Sequence, residues 1–93
     1  MINKESTREE VLDIVIKNGL KLKHASKELQ NDKEVVLASV TQNGLALQYA
    51  SPMLKNDRDV VIAAISQNGL ALQYASATLQ KERELVFFAM AEF

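Results

Sequence analysis

The sequence predicts an all-α protein, a short α-solenoid of about three and a half 25-residue repeats. The first observation is a fixed period. Asn18-Gly19, Asn43-Gly44 and Asn68-Gly69 lie 25 residues apart, as do Ala25-Ser26, Ala50-Ser51 and Ala75-Ser76, and the stretch NGLALQYAS at 43–51 recurs unchanged at 68–76. A period of this length marks a stacked array whose units bury their apolar sides against one another. The second is a helix-start signal at the head of each unit. The third is that the residues flanking each Asn-Gly lack the period-2 alternation of a hairpin, so the dipeptide reads as a helix ending. The chain is read as a single helical-repeat domain, 1–93, with units at 7–31, 32–56 and 57–81 and a partial one at 82–93. A lone unit buries too few apolar side chains to offset the entropy of ordering its backbone, so stacking is required.

Each unit opens on a cap. Asp32 and Asp57 suit the N-cap, where a carboxylate accepts from otherwise unpaired backbone N–H groups, and Thr7 with Glu10 forms a capping box. A long helix of about three turns follows, as in Lys33 to Asn43. Gly19, Gly44 and Gly69 are then expected to supply the left-handed residue that closes it. A second, shorter helix comes next. In Leu45 to Ala50 the apolar positions Ala46, Leu47 and Ala50 share a stripe that Leu54 extends. Ser51 followed by Pro52 reads as an N-cap with proline at the first helical position, giving one last turn before Asp57.

The two ends differ. Val35, Val60 and Leu85 hold one repeat position where unit one has Glu10, and Ala38, Ala63 and Phe88 hold another where it has Asp13. These positions are three apart, hence on one helix face, which in the inner units is expected to meet the preceding repeat. The charged version in unit one reads as an N-terminal cap, with Asp13 and Lys17 spaced for an i, i+4 pair. At the other end, Val86, Met90 and Phe93 form an apolar face that by analogy with Val36 and Val40 should pack against following elements. Two readings stand side by side: this face folds back on Leu70 to Leu79, or it seeks a partner, including another copy of the chain.

Composition narrows the function. There is no cysteine, which removes disulfides, thiolate catalysis and cysteine-ligated metal. The net charge of −1 offers no steering toward nucleic acid or membrane. The longest apolar run, Leu85 to Ala91, is far short of the roughly 18 residues that span a bilayer, and the N-terminus lacks a signal-peptide core. A soluble protein of the cytoplasm or another intracellular compartment is expected, and a secreted effector as parent protein stays compatible.

The search for chemistry returns packing and capping residues. His24, the single histidine, occupies the slot of Tyr49 and Tyr74, so a packing role with a polar tip outweighs a general base. Ser26 and Ser51 read as caps rather than as nucleophiles beside it. Asp32, Glu34, Asp57, Asp59, Glu82 and Glu84 sit in first turns, where the helix dipole favours negative charge. No metal spacing and no phosphate loop is visible, so no metal, cofactor or catalytic residue is expected. Lys17, Lys21, Lys23 and Lys27 cluster in unit one, but acidic neighbours and the lack of interleaved aromatics favour a solvated end over a nucleic-acid site. The repeated amides are better candidates: Gln48 and Gln73 on one side, Gln42 and Gln67 on another, could read an extended protein chain. Asn18, Asn43 and Asn68 read as loop ties.

The string NGLALQYAS, a following leucine and Asp57-Arg-Asp-Val-Val-Ile-Ala-Ala-Ile65 resemble the repeat of Domain of Unknown Function 4116, from about Asn18 to Met90. Unit one departs, with His24 for tyrosine and Lys21 for alanine. The resemblance implies an α-helical repeat, often set inside larger bacterial, protist or viral proteins, with a role in protein contact and no catalytic residue to carry over.

The expectation is therefore a noncatalytic helical repeat that binds or spaces proteins, with Gln48, Gln73, Val86, Met90 and Phe93 as its candidate contact residues. The alternatives are an accessory segment of a larger enzyme or effector, and a small protein that self-assembles through its C-terminal apolar face.

Overall fold

The computed structural model describes residues 2–3 and 5–90. Among these the chain is helical, and no residue lies in a strand. The elements run α1 (Arg8–Val15), a 3-10 helix η1 (Gly19–His24), α2 (Lys27–Gln30), α3 (Lys33–Gln42), η2 (Gly44–Tyr49), α4 (Pro52–Lys55), α5 (Arg58–Gln67), η3 (Gly69–Tyr74), α6 (Ala77–Gln80) and α7 (Arg83–Met90). Each full unit is thus a long helix, a six-residue 3-10 helix and a single α-turn, and the molecule is elongated, 39 × 22 × 15 Å.

The caps form where the sequence places them. Thr7 Oγ1 accepts from Glu10 N–H while the Glu10 carboxylate accepts from Thr7 N–H, completing a capping box. Asp32 accepts from Val35 N–H, and Asp57 from Asp59 and Val60 N–H. Ser26, Ser51 and Ser76 cap the one-turn helices through Leu29, Leu54 and Leu79 N–H, with Pro52 at the first position of α4.

Two expectations are corrected. No glycine has positive φ. The long helix ends because Asn43 turns extended (φ −150°, ψ 108°), after which Gly44 opens the next helix. Asn43 and Asn68 also tie that junction, each accepting from the amide two residues on (Leu45 and Leu70); Asn18 makes no such bond. The second, shorter helix forms as expected and winds as a 3-10 helix, with bonds three residues apart such as Ala46 N–H to Asn43 C=O. The Asp13–Lys17 ion pair is absent among the described residues: α1 ends at Val15 and the chain tightens beyond it, Lys17 N–H bonding to Ile14 C=O three residues back.

The glycines are needed for close approach instead. A β-carbon on Gly19 would sit 2.2 Å from the carbonyl oxygen of Ser39, and one on Gly44 would sit 2.3 Å from that of Ala64, in each case backbone of the next unit's long helix. Any side chain there would force adjacent units apart.

The core runs along the stack. Val11, Val36 and Val61 in one register row, and Val15, Val40 and Ile65 in another, are fully buried, as are Leu22 and Leu47 from the 3-10 helices. The row that replaces Glu10 is buried too, at Val35, Val60 and Leu85, while Glu10 and Asp13 of unit one are exposed. Ile2, ahead of unit one, is buried within the same apolar core. Ile14, half-buried, takes the register position held by Ser39 and Ala64.

Candidate functional site

Three sets of polar contacts join one unit to the next, and each repeats with the period. In the first, Gln42 Oε1 accepts from Gly19 N–H at 2.6 Å, and Gln67 Oε1 accepts from Gly44 N–H. In the second, Ser51 N–H donates to Gln30 C=O and Ser76 N–H to Lys55 C=O, both at 2.9 Å, while Ser51 and Ser76 hydroxyls donate to Asn31 and Asn56 Oδ1 at 2.6 Å. The third is a ladder of charge. Arg8 reaches Asp32 and Glu34, both at 2.7 Å; Lys33 reaches Asp57 (3.1 Å) and Asp59 (3.2 Å); Arg58 reaches Glu82 (2.6 Å) and Glu84 (3.2 Å).

The electrostatics of the ladder follow from its geometry. The guanidinium of Arg8, helped by the Val35 amide, holds the Asp32 carboxyl below its ordinary range. At Asp57 partial burial is the largest single influence and pushes upward. The Lys33 ammonium and the Val60 amide together outweigh it, and the net shift is downward. Arg8 and Lys33 are shifted upward in return, chiefly by their bonds to Asp32 and Asp57. Glu82 is one methylene longer than the aspartates of its row. It engages Arg58 through Oε1 and leaves Oε2 buried with no partner among the described residues.

These contacts reassign several candidates. Gln42 and Gln67 carry the stacking bonds. Gln48 and Gln73 each turn their amide NH2 back on their own 3-10 helix, to Leu45 and Leu70 C=O; Gln48 is half-buried and Gln73 exposed, and Gln73 C=O also accepts from Gln80. His24 is exposed, while Tyr49 and Tyr74 are half-buried against the core. Ser26 and Ser51 spend their hydroxyls on capping, and no bond joins either to His24 among the described residues. Lys21 and His24 line a depression of about 400 Å³ with Ile2 and Ile14; Lys23 and Lys27 line a separate one. Among the described residues no group of three or more acidic, histidine or cysteine side chains is placed to hold a metal ion, and no helix is long and apolar enough to cross a membrane.

The C-terminal end is different in kind. Leu70, Leu72, Val86 and Met90, with Gly69, Gln73 and Gln80, line an open concavity of about 440 Å³. Met90 is 59% exposed where Val40 and Ile65, its equivalents, are fully buried, and Leu70 is 51% exposed where Leu45 is half-buried. The face packs partly on η3, so Val86 is half-buried, but its outer part stays open. Phe93 lies outside the described residues, as does the side chain of Phe88. Sequence reasoning placed Val86 and Met90 here. It named Leu70 to Leu79 as the stretch this face would fold back on but did not offer Leu70 or Leu72 as contact residues, because their exposure arises from position in the stack: Leu70 is preceded and followed by the same residues as Leu45.

A family model, Domain of unknown function (DUF4116), matches residues 7–55, 32–80 and 57–91, so that successive matches are displaced by one 25-residue unit. The chain belongs to this family. No curated protein and no solved structure matches significantly.

Proposed function

We propose that this member of the DUF4116 family is a noncatalytic repeat module that makes contacts with protein, through its C-terminal apolar face and the exposed side of its 3-10 helices. The observation that carries this reading is the contrast between Met90, open to solvent, and the buried Val40 and Ile65 of the same register. An apolar surface of this kind is stabilised when covered. The residues with chemical potential support the same view. The acidic first-turn groups, Ser26, Ser51, Gln42 and Gln67 are engaged in caps and junctions, and among the described residues no nucleophile stands beside a base.

The candidate contact set is Leu70, Gln73, Val86 and Met90 at the open end, continued by Gln48. A protein partner suits this surface better than nucleic acid, because apolar side chains and neutral amides line it. Self-association through the same face is the competing use, favoured by the same exposed Leu70 and Met90.

The test is a pull-down with the intact parent protein, compared with a Gln48→Ala/Gln73→Ala variant and a Leu70→Asp/Met90→Asp variant. Loss of a captured protein in either variant, with circular dichroism unchanged, is the expected result. Retention in both variants would overturn the assignment. Light scattering across concentration separates the competing use: growth in mass that Met90→Asp abolishes makes the face a self-association surface.

A further inference from the structure

The inner long helices turn Val36 and Val40, and Val61 and Ile65, to the core. Their opposite stripe, at i, i+3, i+4 and i+7, is the one expected to be polar. It is polar only at its ends. The stripe reads Glu34, Leu37, Ala38, Thr41 in α3 and Asp59, Ile62, Ala63, Ser66 in α5, and in both the central apolar pair is half-buried between exposed polar residues. Between α1 and α3, which pack together, Ile16, Leu37 and Ala38 line a groove of about 450 Å³, with Glu34 at one end and Thr41 and Gln42 at the other. Ile16 is 56% exposed. α3 packs against α5 in turn, and Thr41, Ile62 and Ala63 repeat the register with the same pattern of burial. The charge beside these grooves is one-sided. Each of Arg8, Lys33 and Arg58 is shared by two carboxylates, so every rung of the ladder keeps a surplus negative charge. The outer acids Glu34 and Asp59, which head the apolar stripes, have side chains 70% and 77% exposed and so can reach a partner.

We propose that the long-helix face docks a basic amphipathic helix of a partner protein, laid across α1, α3 and α5. Its apolar stripe enters the two grooves, where the small side chains of Ala38 and Ala63 permit close approach. Lysine or arginine along one flank meets Glu34 and Asp59, and an uncharged flank faces Thr41 and Ser66. This is helix-in-groove recognition in which the charged edge fixes the direction of the guest. A helix advances about 10 Å in seven residues, close to the roughly 8–10 Å between packed helices, so one heptad of the guest serves each unit. The surplus carboxylates repel nucleic acid and anionic lipid. They repel a second copy as well, since its own outward stripes are headed by Glu9, Glu34, Asp59 and Glu84. This surface is additional to the C-terminal face and does not depend on it.

The test follows the methyl groups of the full chain by NMR during titration with a synthetic helix of about 18 residues, long enough to cross three units. The peptide carries leucine at positions a and d of its heptads, lysine at e and glutamine elsewhere. Saturable binding is expected, with shifts at Leu37, Ala38, Ile62 and Ala63 and none at Leu70 or Met90. A twin peptide with glutamate at e should bind roughly tenfold more weakly at low salt. The Glu34→Lys/Asp59→Lys protein should reverse that preference with its circular dichroism unchanged. No saturation at millimolar peptide, equal binding of the two peptides, or shifts confined to Leu70 and Met90 would each overturn the proposal. Binding to zwitterionic lipid vesicles that shifts the same methyls would overturn it in favour of a membrane surface. Leu70→Asp/Met90→Asp should leave peptide binding intact, so failure at this surface is distinguishable from failure at the C-terminal face.

Discussion

The side-chain oxygen of Gln67 accepts a hydrogen bond from the backbone N–H of Gly44, one repeat earlier in the chain, and the Ala64 carbonyl oxygen lies 2.3 Å from where a β-carbon on that glycine would be. One residue thus supplies a donor and an absence. The amide needs an acceptor from the next unit, and the missing side chain lets that unit come close enough to provide it. Gly19 repeats the arrangement with Gln42 and Ser39.

Gly44→Ala should therefore be severe although its φ is accessible to any residue. The added methyl meets backbone, which cannot rotate away, so a loss of about 3 kcal/mol is expected, at the upper end of overpacking costs. Urea unfolding measures it. A loss below about 1 kcal/mol would show that the units can separate freely at this point.

Removing the acceptor should cost less. Gln67→Ala leaves the Gly44 amide unpaired in a partly buried junction, a penalty of roughly 1–2 kcal/mol. Gln67→Glu keeps an acceptor oxygen and should retain most of the stability at neutral pH. Hydrogen exchange at the Gly44 amide reports the bond directly: protection should fall in the alanine variant and persist in the glutamate variant.

Acid should loosen the ladder. Asp32, Asp57 and Glu10 are depressed in the folded protein, Asp32 first by Arg8 and Glu10 first by the Thr7 amide. A carboxyl with a lowered native pKa binds its proton more readily when unfolded. Its stabilising contribution is present above the unfolded value and is lost as pH falls through the native one. Melting temperature should hold from neutral pH to about pH 5 and drop below about pH 4. Asp32→Asn keeps a capping side chain and gives up the charge, so its decline across that window should be shallower than that of the parent.

Glu82→Asp should stabilise the fourth unit. Aspartate at this position would match Asp32 and Asp57, accept from the amides of the first turn, and remove the buried Oε2 that has no partner among the described residues. A gain of about 0.5–1 kcal/mol is expected from an improved cap. Thermal unfolding unchanged or lowered would show that the longer side chain is needed to reach Arg58.

His24→Tyr should be neutral or stabilising. Tyr49 and Tyr74 occupy this register half-buried, and the exposed imidazole takes part in no hydrogen bond among the described residues. Loss of fold on this exchange would contradict the equivalence of the three units.

Much of this protein was readable from local chemistry. Helix starts depend on one side chain meeting an amide two or three residues on, so Thr7, Asp32, Asp57, Ser26 and Ser51 identified their caps without reference to anything distant. The apolar rows, Val36 with Val61 and Val40 with Ile65, followed from the 25-residue register together with helical spacing. The glycines show where that method stops. A local reading assigns glycine after asparagine to a left-handed turn, because conformational freedom is what the local chain can reveal. Its actual use, clearance for a carbonyl 20 residues away, depends on two backbones meeting. The glutamines changed meaning for the same reason. Gln42 and Gln67 looked like a free row, and proximity turned them into junction bonds. Leu45 and Leu70 sit in identical sequence, yet only the second is mostly open, since burial belongs to a residue's neighbours in space. By itself, then, the sequence determined the repeat, its helices and their caps, all short-range effects. The tertiary structure alone decided how the units lock and which end is left uncovered, because both depend on contacts between residues that the chain keeps far apart.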